Sequence, residues 1–249
     1  MGRFETTAET YERFREPYPA AFFTQVAERL ALRGGERLID LGTGPGILAL
    51  GFAPYVGSVI GVDPEAEMIE VARDNAARVG VTLPLIHARA EDLPPDLGTF
   101  DLVTIGRALH WMDRTPTIAV LDRLLAADGA ILTTGSAPAK DGRNPWLETV
   151  ERVSHSWAPH DERVLSVYRT WFNDTPFQEV EEITHVFTEM VTPEHLFARL
   201  LTRSSTSPAV LGDRIEACRA ELLAELAPFF PEGTSEETLI ARATVIRRR

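Results

Sequence analysis

Residues 38–46, LIDLGTGPG, set the limits on what this chain can fold into. Leu38 and Ile39 lead to Asp40, Gly42, Gly44 and Gly46 then alternate, and Ile47, Leu48, Ala49 and Leu50 restart an apolar pattern. This reads as a buried strand, a glycine turn and a helix start, an order that builds a nucleotide-type pocket at a strand's carboxyl end. Glycine serves where the backbone takes positive φ or a ligand approaches closely. The free N–H groups of the new helix are expected to face that ligand. A dinucleotide fingerprint would need glycine at position 47, where Ile47 stands, and no Lys-Ser/Thr pair follows to make a P-loop.

Downstream, Val59, Ile60, Gly61 and Val62 read as a second strand ending at Asp63. Two roles are open to Asp63: accepting from both hydroxyls of a ribose, or capping the next helix. Pro64 suits a first helical position, and Met68, Ala72, Ala76 and Val79 continue at helical spacing. Strands are expected at 83–86, 100–105 and 130–134, and helices at 116–125 and from Phe22 through Ala31 to the Gly34-Gly35 stop. His110 and Trp111 follow the fourth strand, where open parallel sheets bind ligands. They are either site groups or a satisfied histidine beside a packing tryptophan. From Pro138 the periodicity changes, and an aromatic-rich stretch carries Trp146, Trp157, Tyr168, Trp171 and Phe172.

A length of 249 residues suits one α/β domain with an added cap. The net charge of −12 argues against a nucleic-acid partner, whose affinity is mostly electrostatic. No apolar run approaches a membrane span, and the single cysteine, Cys218, excludes an internal disulfide, so a cytoplasmic location is expected. His155 and His160 stand five apart beside Asp161 and Glu162, but without a His-Glu-x-x-His or cysteine pair no metal is expected. A Ser-His-Asp hydrolase is disfavoured because G-x-S-x-G is missing.

The leading acid, the alternating glycines and the second-strand acid resemble the class I S-adenosylmethionine-dependent methyltransferases, in the small-molecule, UbiE-like branch. Three further pieces follow in that family's order: HARAEDLP at 87–94, FDLVTIGRALHWMD at 100–113 and LLAADGAILTTG at 124–135, the last resembling a helix-turn-strand. YERFREPYP at 11–19 is similar to the segment that often precedes the domain. The resemblance implies a Rossmann-like, doubly wound, seven-stranded and mostly parallel sheet with an antiparallel last strand pair and a helical cap. It divides the chain into an N-terminal arm and helix over the cofactor (1–35), a cofactor-binding core (36–137), a substrate cap (138–178 and 192–235) and closing strands (179–191 and 236–249).

The same resemblance implies S-adenosylmethionine as cofactor, S-adenosylhomocysteine as product, and a small-molecule acceptor in secondary metabolism. Cofactor-binding roles fall on Arg15, Tyr18, Asp40, Gly42, Thr43, Gly44, Gly46, Asp63, Pro64, Met68, Ala90, Glu91 and Arg107. Substrate roles fall on Tyr11, Trp111 and Trp146, and a general base, if the acceptor needs one, on His110, with His155 and His160 behind it. Tyr11, Arg15 and Tyr18 either fold over the cofactor or pack on the sheet edge. One departure stands out: Arg89 occupies the place of the acid that usually accepts from the adenine amino group, and a guanidinium cannot accept. Rival readings are a same-fold protein using the cofactor without methyl transfer, a cofactor sensor, and a nicotinamide dehydrogenase, which Ile47 disfavours.

Overall fold

The computed structural model describes residues 14–157, 170–203 and 205–249. In chain order the elements are α1 (Ala20–Arg29), β1 (Arg37–Leu41), α2 (Ile47–Phe52), β2 (Ser58–Asp63), α3 (Ala66–Val79), β3 (Leu85–His87), β4 (Phe100–Gly106), α4 (Arg114–Leu124) and β5 (Leu125–Pro138). After these come α5 (Leu147–Trp157), β6 (Phe177–Val191), α6 (Pro193–Leu201), α7 (Pro208–Leu211), α8 (Ile215–Leu226) and β7 (Ser235–Arg248). The strands form a seven-stranded sheet in the order β3-β2-β1-β4-β5-β7-β6. The pairs β1/β2, β1/β4, β2/β3 and β4/β5 are parallel, and the last strands run antiparallel. The fold is thus the Rossmann-like α/β architecture expected from the sequence.

The described residues fall into two compact units. A sheet unit takes Tyr18–Gly135, Glu162–His185 and Ala241–Arg249; a helical unit takes Met1–Pro17, Ser136–Asp161 and Val186–Ile240. The sheet unit's core is built on continuous apolar strands, as a central parallel strand covered on both faces requires. Ile39, Leu41, Val62, Val103, Ile105 and Leu121 are buried in it. Trp171, Phe172 and Phe177 pack in this same core. The expectation that the whole of 138–178 forms the cap therefore differs from what is found, since burying rings against the sheet satisfies an aromatic stretch as well as a cap does. The helical unit has its own core around Trp146, Val150, Leu196, Leu200, Leu222 and Phe230.

Two boundaries depart from expectation. Helix α3 starts at Ala66, after an N-cap at Glu65, so Pro64 lies ahead of the helix. Asp63 Oδ1 accepts from the Glu65 amide at 2.9 Å, a local turn that delays the helix. Strand β5 begins at Leu125, directly after α4, instead of following a turn, and its pairing with β4 carries a register shift between Phe100 and Leu102. Helix α2 is only six residues long.

Candidate active site

The glycine loop leaves β1 and is moulded onto the end of β2. Gly42, Gly44 and Gly46 all take left-handed φ, at 71°, 53° and 86°. At Gly42 a side chain is also barred by space, since a Cβ would lie 2.4 Å from the Cβ of Ala108. The amides of Gly42 and Thr43 both donate to the Val62 carbonyl, at 2.8 and 2.9 Å, and the Gly46 amide donates to Thr43 at 2.9 Å. Gly44 donates to Asp63 Oδ2 at 2.8 Å. The loop's amides are therefore largely used in holding its own shape. Asn75, on α3, clips the far side of the loop by donating from Nδ2 to the Pro45 carbonyl at 3.0 Å.

Asp40 lies beneath the loop, 1% exposed. The register sets it beside Thr104 of β4 and Gly61 of β2. Its Oδ1 accepts from the Thr104 hydroxyl at 2.6 Å, and its Oδ2 from the Thr43 hydroxyl at 2.7 Å. Burial drives its pKa from 3.8 up to about 6, against the two hydroxyls and the Ala49 amide, which favour the charged form. Asp40 thus acts on the loop from below. Gly61 makes this arrangement possible, since a Cβ there would meet the Thr43 side chain at 3.0 Å. Asp63, 6% exposed, is likewise pushed up by burial while the Glu65 and Gly44 amides pull it down.

On the β3 side, Ala90 opens a short 3-10 turn, Ala90–Asp92, and is 5% exposed. Arg89 reaches Glu91 at 3.1 Å and Asp113 at 3.0 Å, and the Asp113 amide donates to Glu91 at 2.7 Å. Burial raises Glu91, but Arg89 and that amide outweigh it and hold the carboxyl below its ordinary value. The residue standing in the adenine-side acid's place thus ties the β3 turn to the start of α4.

The turn after β4 lies against the loop through Ala108, whose Cβ occupies the room a Gly42 side chain would need. Arg107 takes a positive φ of 54°, and its guanidinium sits 5.0 Å above the Tyr18 ring. The Tyr18 hydroxyl is 3.3 Å from that of Thr134 on β5. His110 and Trp111 lie in the 3-10 turn Leu109–Trp111 with ring centroids 4.9 Å apart, and Trp111 is 46% exposed. Met68 is buried in the first turn of α3. So Tyr18, Asp40, Asp63, Pro64, Met68, Ala90, Glu91, Arg107, His110 and Trp111 all belong to the sheet unit with the loop.

A model of the methyltransferase domain family matches residues 38–129. The uncharacterized methyltransferase YcgJ of Bacillus subtilis (strain 168) is 31% identical over 191 residues, spanning 72% of this chain and 72% of that protein. The chain belongs to the class I S-adenosylmethionine-dependent methyltransferases. An uncharacterized methyltransferase of Mycobacterium tuberculosis (strain ATCC 25618 / H37Rv) is 29% identical over 209 residues, 83% of this chain and 79% of its own. The fold matches a Thiobacillus denitrificans methyltransferase crystallised with S-adenosyl-L-homocysteine, with a TM-score of 0.58 and 22% identity over 100% of this chain and 99% of that one.

Membership in this family carries the cofactor, S-adenosylmethionine. The methyltransferase loop suits it on two counts. A Cβ on Gly44 would meet nothing within 4 Å, so bare backbone is presented there. Among the described residues the side chains bonded to the loop are two acids and an amide, Asp40, Asp63 and Asn75, which suits a sulfonium and not a phosphate. Among the described residues no three His, Cys, Asp or Glu side chains converge as a metal site, and no helix is long and apolar enough to cross a membrane.

Other expected site residues fall elsewhere. Arg15 belongs to the helical unit, as does Trp146, which is 1% exposed in that unit's core with its ring 6.3 Å from Phe230. His155 ends α5 in the helical unit, and Tyr11 and His160 lie outside the described residues. Three residues of the site escaped the sequence reading: Gly61, Asn75 and Thr104. Each left a mark: a glycine inside a strand, an amide on an apolar helix stripe, and a hydroxyl in an apolar run.

Proposed function

We propose that this methyltransferase moves a methyl group from S-adenosylmethionine to an oxygen, nitrogen or carbon of a small-molecule acceptor, by in-line displacement. What carries the reading is the glycine loop, left-handed at three positions and clamped by two buried acids, with no cation among the described residues bonded to it. Gly42, Thr43, Gly44 and Gly46 would line the amino acid and ribose portions, and Asp63 has lone pairs left for the ribose hydroxyls. Met68, Pro64, Ala90 and Glu91 would border the adenine, and Tyr18 and Arg107 the amino acid end. The bound cofactor supplies a methyl group already activated by a positive sulfur. The protein's part is then alignment, a positioning effect worth about 7–11 kcal/mol where geometry is optimal.

His110 would take the proton from an acceptor that must lose one, a role that typically adds about 10²–10⁴-fold. Trp111, with its exposed ring, offers an apolar face to that acceptor. The test is a metabolite pool incubated with the full chain and methyl-labelled cofactor, read by mass spectrometry. Transfer of label to a small molecule, falling at least tenfold in His110→Ala while S-adenosylhomocysteine affinity holds, is expected. Tight S-adenosylhomocysteine binding with no labelled product would overturn methyl transfer and favour a cofactor-binding role.

A further inference from the structure

The acid that ends β2 leans on a turn whose own sequence is short of donors. In Asp63-Pro64-Glu65 the proline nitrogen carries no hydrogen, so the Pro64–Glu65 peptide is the first after β2 with an N–H to give. Glu65 is the N-cap of α3, and its side chain makes no capping bond. The start of the helix is held instead at that one peptide group, and from both of its sides.

The peptide's N–H, on Glu65, donates to Asp63 Oδ1 at 2.9 Å. Its carbonyl, on Pro64, lies 2.9 Å from Nε2 of His87, the last residue of β3. A carbonyl only accepts, so Nε2 carries the hydrogen. The C=O and N–H of a trans peptide point in opposite directions, so this group spans the space between the imidazole and the carboxylate. Pairing of β2 with β3 sets His87 beside Asp63, and the Ala88 amide donates to the Asp63 carbonyl at 3.1 Å. The second carboxylate oxygen, Oδ2, accepts from Gly44 at 2.8 Å. An unbroken run of hydrogen bonds thus leads from His87 through the Pro64–Glu65 peptide and Asp63 to the glycine loop. Bonds in series polarise one another, and each restrains the next. All of these residues lie in the sheet unit.

We infer that His87 is a positioning residue for the cofactor, setting the Asp63 carboxylate toward the two ribose hydroxyls by holding the Pro64–Glu65 peptide. The inference rests on the proposed ribose role of Asp63. Without His87 the peptide keeps Asp63 as its partner, and the two are free to swing together away from the ribose. The His87 bond is exposed to solvent, so its loss should change stability little. The effect belongs in how sharply the site tells a ribose from a sugar without hydroxyls, because a site built to bond hydroxyls rejects a ligand that lacks them.

The test is calorimetric titration of the full chain with S-adenosylhomocysteine and with its dideoxyribose analogue, which lacks both hydroxyls. Wild type should bind S-adenosylhomocysteine at least tenfold tighter than the analogue. His87→Val, which removes the donor and keeps a strand-forming residue, should narrow that gap at least threefold. It should bind the analogue within twofold of wild type, which also shows that the variant folds. His87→Gln, whose side-chain amide can donate to the same carbonyl, should recover most of the gap. A full gap in His87→Val, or equal weakening of both ligands there, would overturn the inference and leave the role of Asp63 standing. Equal binding of the two ligands by wild type would overturn the ribose role, and the inference with it.

Discussion

The two units bury charge in opposite ways. In the sheet unit, Asp40 is enclosed by neutral donors, the Thr43 and Thr104 hydroxyls, and burial lifts its pKa to about 6. In the helical unit, Glu237 is enclosed by the Arg199 guanidinium, which meets both of its carboxylate oxygens. Neutral donors fix a loop without placing positive charge beside it, as a sulfonium ligand demands. A guanidinium instead cancels the charge it encloses, and the pair is costly to break from either side. The difference shows two ways in which one chain holds a buried carboxylate, by neutral donors beside a ligand loop and by a counter-charge inside a helical core.

The largest effect should come from Glu237→Gln, which leaves Arg199 buried without its counter-charge. A loss of about 3–5 kcal/mol in urea denaturation is expected, because breaking one partner of a buried pair strands the other. A loss under about 1 kcal/mol would mean that this unit tolerates burial of charge as cheaply as the sheet unit does.

Next comes Asp40, whose proton is held more tightly in the folded state, at about 6, than at its ordinary 3.8. Its contribution to stability is therefore greatest below the unfolded value and falls as pH rises through the folded one. That fall amounts to about 3 kcal/mol between roughly pH 4 and pH 6. Glu237 is also raised by burial, so the reading is the difference between wild type and Asp40→Asn, whose stability curve should be flatter over this window. Parallel curves would mean that Asp40 is not the titrating group.

The smallest stability change, about 1–2 kcal/mol, is expected for Gly44→Ala, from left-handed backbone alone. S-adenosylhomocysteine binding in that variant should nonetheless weaken at least tenfold, because the new methyl group enters the open space before the loop. Unchanged affinity in calorimetry would remove Gly44 from the site. Gly42→Ala, whose methyl group would collide with Ala108, should lose stability as well as binding.

Much of the sheet unit was legible because local rules and the global fold agree there. Alternating glycines, acids ending β1 and β2, and continuous apolar strands each point to the same topology. The role of Asp40 was less legible: an acid at a strand end reads the same whether it faces a ligand or the underside of a loop. Only the lateral register, which sets Thr104 beside it, decides. Arg89 misled in the opposite direction, since its meaning depends on Glu91 and on Asp113, 24 residues away. The helical unit was the hardest to read. Trp146, Trp171 and Phe172 look alike in sequence, yet the first packs in the helical core and the other two in the sheet core. The pairing of Arg199 with Glu237 spans 38 residues without any periodic pattern to announce it.

The missing side chain at Gly61 has a wider meaning. Because that vacancy seats Thr43, and Thr43 grips Asp40 together with Thr104, four positions on three neighbouring strands and one turn make up a single mechanical lock. Natural selection cannot tune one of them alone: drift at 61 is felt at 43, and drift at 104 is felt at 40. In descendants of this chain those four sites should change as a set or stay as they are.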